Sequence, residues 1–204
     1  MKKLGLVLAF VLALAATGFA QSNGLLIDSF EVTISGGPEG TVDFGAGNGS
    51  AVTVSAVTDQ VYVYSGKQSL KVDYDAVEGG YMWVARGFNL DAKNSSWDVK
   101  SENINWKEYN ALAFYVYGSG SKAKAAFDIK DAGNEIFRYL FEDNFKGWKQ
   151  IVCPFSDFIA RSDWQSDIAD KNDTIDFPLK SYQFEHLQPA KGALYFDEVE
   201  VIKK

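Results

Sequence analysis

Ten short runs rich in Val, Ile, Tyr and Phe recur along the chain, each bounded by turn residues. They are Ala51–Val57, Val61–Tyr64, Ser69–Tyr74, Tyr81–Phe88, Ala111–Tyr117, Ala125–Lys130, Glu135–Phe141, Lys149–Pro154, Ser181–His186 and Ala193–Ile202. Runs of this length and make-up read as β-strands. No stretch keeps a helical period over three turns, and Asp157–Arg161 has room for one turn at most. Many strands with neither a helical layer nor a linker must bury their apolar faces against one another. The expected fold is therefore all-β, a single two-sheet antiparallel sandwich.

Composition narrows what such a sandwich does. The 204 residues carry 20 Lys and Arg against 27 Asp and Glu, a formal charge of −7, which leaves no basic footprint for nucleic acid. One Cys excludes a disulfide framework, and one His excludes a site built from two imidazoles. Cys153 alternates with Ile151 and reads as a small buried hydrophobe. Aromatic residues reach 15%, high for so acidic a chain, so flat rings are the first functional clue.

Residues 1–20 read as an export signal: Lys2 and Lys3, an apolar run from Leu4 to Ala16, then Gly18 and Ala20 before Gln21. The apolar run is shorter than the roughly 18 residues that span a bilayer, and no second run follows, so no membrane span is expected. The expected mature domain is 21–204, exported to a periplasmic or extracellular space.

The clearest hairpin joins Phe127–Lys130 to Glu135–Tyr139 through the turn tetrad Asp131-Ala132-Gly133-Asn134. A four-residue turn places Phe127 and Ile129 opposite Arg138 and Ile136, and puts Asp128 and Lys130 on one face with Phe137 and Tyr139. That second face mixes charge with rings. Either it meets a ligand, or a loop covers it.

Both end strands embed acids among apolar residues: Leu25-Leu26-Ile27-Asp28-Ser29-Phe30-Glu31 at one end, and Leu194-Tyr195-Phe196-Asp197-Glu198 at the other. If these strands are neighbours, Asp28 or Glu31 meets Asp197, and a buried charge needs a partner. A structural Ca²⁺ suits an oxygen-only set, with carbonyls added from the Gly66-Lys67-Gln68-Ser69 turn. The alternative is that the acids face water at sheet edges.

At this point the chain resembles the family 11 carbohydrate-binding modules, which bind β-glucans. Ile27-Asp28-Ser29-Phe30-Glu31 is similar to that family's opening, Gly66-Lys67 with Leu70–Tyr74 to its second strand, and Gly80-Tyr81 to its Gly-Tyr-Trp segment. Glu135–Tyr139 occupies the place of a Glu-X-Trp-X-Tyr strand. The stretch from Trp148 to Gln165 resembles its Trp, strand, Pro-Phe-Ser-X-Phe and Arg-X-Asp-aromatic-Gln series. The resemblance spans nearly the whole mature chain. It implies a jelly-roll sandwich with structural calcium, for which Asp28, Glu31 and Asp197 are the candidate ligands, and a cleft for a single glucan chain. Tyr81, Arg161, Asp163, Trp164 and Ser181 fall on family cleft positions, with Trp164 replacing a Tyr. Lys180, His186 and Gly133 depart from the family at or near cleft positions, and Asn89 to Trp106 is longer.

The chemistry suits those residue types. A pyranose has an apolar face that a Tyr or Trp ring covers at low conformational cost, and a rim of hydroxyls that a donor-only Arg and an acceptor-only Asp can bracket. Tyr115, Tyr117 and Tyr139 are further stacking candidates, with buried core as the other reading of Tyr139. Without the resemblance, Arg161 and Asp163 read first as a surface ion pair; with it, they read as ligand contacts. Three functions follow as expectations. The first is a non-catalytic protein binding a β-glucan-like polysaccharide. The second is a structural outer-layer protein of a periplasmic flagellar filament, part of a larger assembly. The third, a glycosidase, needs two carboxyls about 5–9.5 Å apart, whereas Glu135 and Glu185 stand isolated on different strands. No enzyme is expected.

Overall fold

The computed structural model describes residues 24–187 and 189–204; the expected export signal lies outside them. Two six-stranded sheets carry the fold. The first runs β3 (Ala51–Val57), β4 (Ser69–Ala76), β12 (Ala190–Ile202), β6 (Ala111–Ser119) and β9 (Lys146–Pro154), with β1 (Gly24–Asp28) also on β12. The second runs β10 (Ile159–Ala160), β8 (Ile136–Glu142), β7 (Lys124–Lys130), β11 (Ser181–His186), β5 (Tyr81–Gly87) and β2 (Asp43–Gly47). Every pairing is antiparallel. The β7–β8 hairpin of the second sheet is nested within the β6–β9 pair of the first, the jelly-roll arrangement expected. Strand β12 serves two neighbours along one edge: its first half pairs with β4, and after a register shift its last residues pair with β1.

Period two decides what lies between the sheets. Phe114 on β6 meets Phe127 on β7 with ring centres 4.7 Å apart, and Phe184 on β11 stacks on Phe196 of β12 at 3.7 Å. All four rings are buried, and pairs of this kind add about 0.5–1.5 kcal/mol each beyond the area they bury. Cys153 is fully buried on the same layer, as its alternation predicts.

One charged group also crosses that layer. Asp28, at the end of β1, is fully buried and accepts from Arg86 Nε at 2.5 Å and Nη2 at 2.9 Å, and from the Tyr182 hydroxyl at 2.6 Å. Arg86 lies on β5 and Tyr182 on β11, so the first sheet's edge is tied to two strands of the second. Two more guanidinium hydrogens go to the carbonyls of Thr41 and Ser96, and the cation is buried. Ser96 and Trp97, whose indole donates to the Arg86 carbonyl, belong to the long Asn89–Trp106 segment. That segment closes one end of the sandwich.

Two expectations change. Val61–Tyr64 does not pair as a strand. Asp59 caps a 3-10 turn at Gln60–Tyr62 by accepting from Val61 N, and the segment crosses the outer face of the first sheet. Tyr62 stacks on Tyr195 and Tyr64 on Tyr115, with ring centres 4.2 and 3.5 Å apart. The alternation is real, but rings rather than a partner strand satisfy it. The β7–β8 register is also one residue off expectation. The turn has five residues, Asp131 to Glu135, because the Asp131 carboxylate accepts from Glu135 N at 2.8 Å while Lys130 pairs with Ile136. Asp128 therefore faces Arg138, and Phe127 faces Tyr139. Charge goes to the outside and rings go to the core.

Removing one member of a buried ion pair strands the other, so Arg86→Met is expected to lower stability by about 3–5 kcal/mol. Urea unfolding checks this: the midpoint falls while the slope is kept, and an unmoved midpoint would deny the pair its structural part.

Candidate functional site

The outward side chains of the second sheet frame a cleft of about 860 Å³. Tyr81 and Trp83 of β5 line one wall, Arg161, Asp163 and Trp164 line the other, and Arg138, Gln183 and Glu185 form the floor. The expected quartet of Tyr81, Arg161, Asp163 and Trp164 thus converges on one cavity. Asn89 and Asp91, from the start of the long segment, shape one end.

The floor is a hydrogen-bonded network centred on buried Asp128. Its Oδ1 accepts from Arg138 Nε at 2.8 Å. Its Oδ2 accepts from Arg138 Nη2 at 2.8 Å, Arg161 Nη1 at 3.0 Å and Gln183 Nε2 at 3.1 Å. Glu185 accepts from Arg138 and lies 3.3 Å from Arg161 Nη1. Two guanidiniums are held side by side by three carboxylates, Asp128, Glu185 and Asp163. Burial raises the Glu185 carboxyl, while Arg138 and Arg161 pull it back. Asp163 is 59% exposed and receives Arg161 Nε and Nη2 at 3.0 and 2.7 Å, which hold its carboxyl at about 2. It is an ionised acceptor facing solvent at the rim.

The wall that carries Trp164 is an irregular segment, held to β8 at Ile136 by one backbone bond and by the Gln165 side chain. Arg161 N donates to the Ile136 carbonyl, and Gln165 then continues the pairing with its side chain, accepting from Ile136 N and donating to Ile136 O, each at 2.8 Å. Gln165 also donates to the Arg161 carbonyl at 3.0 Å, closing the loop on itself. Trp164, at its tip, remains 55% exposed.

Four predicted contact residues are elsewhere. Tyr139 points inward beside Phe158, with ring centres 5.7 Å apart, because the five-residue turn shifts the register. Ser181 is buried between Gly87 and Lys130 and does not line the cavity. Tyr115 and Tyr117 lie on the outer face of the first sheet, against Tyr64, Tyr62 and Trp148. Trp83 was not anticipated. The available signal was its position two residues beyond Tyr81, hence on the same face.

The three expected calcium ligands do not form one set. Asp28 is occupied by Arg86 and Tyr182. Glu31 Oε1 accepts from Lys67 N and Gln68 N, at 2.8 and 3.2 Å. Asp197 accepts from Tyr64 N, Ser65 N and Glu198 N, at 3.0, 3.1 and 2.9 Å. The Gln68 amide donates to the carbonyls of Phe30 and Val32, at 2.6 and 2.7 Å. Donors thus surround the oxygens that calcium would need, and the residues present do not fit the ion. Among the described residues, the carboxylates that do gather within 4.8 Å are Asp131, Asp170 and Asp176.

Comparison with known proteins bears on this cleft. The family profile "Carbohydrate binding domain (family 11)" matches residues 16–204. No curated protein sequence matches the chain. Among solved structures, the chain is similar to a family 11 module from Clostridium thermocellum in complex with a beta-1,3-1,4-mixed-linked tetrasaccharide. The identity is 20%, 88% of this chain and 95% of that one are covered, and the TM-score is 0.66. It is also similar to the family 11 module of the cellulosomal cellulase Lic26A-Cel5E of Clostridium thermocellum. There the identity is 18%, the coverage 90% and 96%, and the TM-score 0.66.

A cation bound only by the folded state would raise its stability by mass action. Because peptide N–H groups and Arg86 already occupy oxygens of Asp28, Glu31 and Asp197, exhaustive chelation with EDTA is expected to leave the melting temperature unmoved. A fall on chelation, restored by added Ca²⁺, would refute this arrangement.

Proposed function

Since the chain belongs to carbohydrate-binding family 11, we propose that it is an exported, non-catalytic protein that holds a single β-glucan-like chain in the cleft of its second sheet. The carrying observation is the pairing of rings with a charged floor in one cavity: Tyr81 and Trp83 on one wall, Trp164 with Arg161 and Asp163 on the other, and Arg138, Gln183 and Glu185 between. Rings cover the apolar faces of successive sugars. Asp163 accepts from hydroxyls, and Arg161 behind it holds it ionised and in place.

A binding role suits the carboxylates. Asp128 and Glu185 sit against the two guanidiniums, and Asp163 is held ionised. Among the described residues, no helix is long and apolar enough to cross a membrane.

Retention on a panel of immobilised or gel-embedded polysaccharides tests the reading. Barley β-glucan is expected to retard the protein. No retention on any polysaccharide, together with sedimentation with filaments, would move the function to a structural layer. Trp164→Ala removes the most exposed ring of the cleft. If it is an energetic centre it costs about 2 kcal/mol, or roughly 30-fold in Kd, with the melting curve unchanged. Affinity equal to the parent protein would take the glucan off this wall.

A further inference from the structure

Strand β2 reads Asp43-Phe44-Gly45-Ala46-Gly47, an edge strand with glycine at two outward positions. Glycine weakens a strand interior and marks places where something approaches the backbone closely. Here the approaching groups are two rings from the neighbouring strand. Gly45 pairs with Trp83 and Gly47 with Tyr81. A β-carbon on Gly45 would come within 2.4 Å of the Trp83 benzo ring, and one on Gly47 within 2.4 Å of the Tyr81 ring. Each ring therefore lies down on its glycine instead of standing off the sheet.

The two rings are inclined by only 13°, with centres 6.2 Å apart. That spacing is too wide for face-to-face stacking and matches the roughly 6.6 Å covered by two residues of a strand. They lie side by side and form one platform along their wall of the cleft. Trp83 Nε1 donates to Asp43 Oδ1 at 3.2 Å, and Asp43 Oδ2 accepts from Asp91 N at 2.9 Å, which sets the indole's rotation. Tyr81 is 49% exposed and Trp83 half-buried, and both line the cleft.

We infer that Tyr81 and Trp83, seated on Gly47 and Gly45, form a tandem platform that takes two consecutive pyranose units of a chain lying flat along β5. This rests on the carbohydrate reading above and assigns the second of the two units to Trp83. Near-coplanar rings one sugar apart favour a stretch whose successive rings share a plane, as β-1,4-linked units do. A β-1,3 linkage turns the next ring away.

Calorimetric titration with β-1,4-linked oligosaccharides, from the disaccharide to the hexasaccharide, tests it on the whole protein. Trp83→Ala is expected to weaken hexasaccharide binding at least tenfold and to shorten by one unit the length at which affinity stops rising. Gly45→Ala keeps the indole but lifts it from its seat, and is expected to weaken binding in the same direction. Because a ring over a glycine also shields the strand, thermal melts run alongside, and the length dependence separates a lost sugar contact from a loosened strand. If the parent protein binds and both variants keep its affinity and its plateau length, this inference alone is overturned. If the parent protein binds no oligosaccharide, the carbohydrate reading falls and the platform with it.

Discussion

A single buried ion pair ties the two sheets into one body. Asp28 closes β1, Arg86 meets it from β5 of the other sheet, and the Tyr182 hydroxyl completes the carboxylate. Replacing such a pair with well-packed apolar residues is often neutral or better for stability, so its value here is not simply energetic. It selects one partner for each group. An unpaired Asp28 in this layer is costly, and only the strand alignment that places Arg86 beneath it relieves that cost. The same guanidinium holds the carbonyls of Thr41 and Ser96. The segment before β2 and the long insertion after β5 are thereby set by one side chain. Both border the cleft through Asp43, Asn89 and Asp91.

A second constraint shapes the cleft floor, and it is the length of one turn. With four residues between β7 and β8, Arg138 would enter the core and Tyr139 would face solvent. With five, Arg138 sits directly across from Asp128 and engages both its oxygens. Arg161 then arrives from the other side of β8 and shares Asp128. The Asp131 carboxylate, accepting from Glu135 N and Asp176 N, makes the longer turn favourable by capping its open backbone. A local hydrogen bond thus decides which face of a strand carries the ionic network.

Much of the fold was legible because alternation is a direct imprint of a two-faced sheet. Nine of the ten runs became strands, with ends shifted by a few residues. The exception, Val61–Tyr64, alternates for another reason, since its tyrosines stack on Tyr195 and Tyr115. Strand β2 stayed hidden because Asp43-Phe44-Gly45-Ala46-Gly47 has the composition of a loop. Its apolar surface is supplied by its neighbour's rings. Of the candidate ligand residues, Tyr81, Arg161, Asp163 and Trp164 were legible through the family resemblance. Tyr139 was not, because a one-residue register change inverts a strand's faces. The end-strand acids posed a real electrostatic problem, and Arg86 and the Tyr64–Gln68 backbone answer it from positions far away in sequence.

The two walls and the floor divide the work of recognition. Arg161 spends Nε and Nη2 on Asp163 and Nη1 on Asp128, and Arg138 is engaged by Asp128 and Glu185. Few donor hydrogens of the floor are left over for a ligand, so the network acts mainly by holding Asp163 ionised and in place. Such a floor is rigid before any sugar arrives and loses little entropy on binding, which favours affinity through preorganisation. The apolar contribution then comes from Tyr81, Trp83 and Trp164, which stand at 49% exposure, half-burial and 55% exposure around the same cavity. On the proposed reading, rings on opposite walls constrain the plane of a bound chain, while the ionised rim acceptor reads its hydroxyls. Shape then falls to the rings and register to the carboxylate.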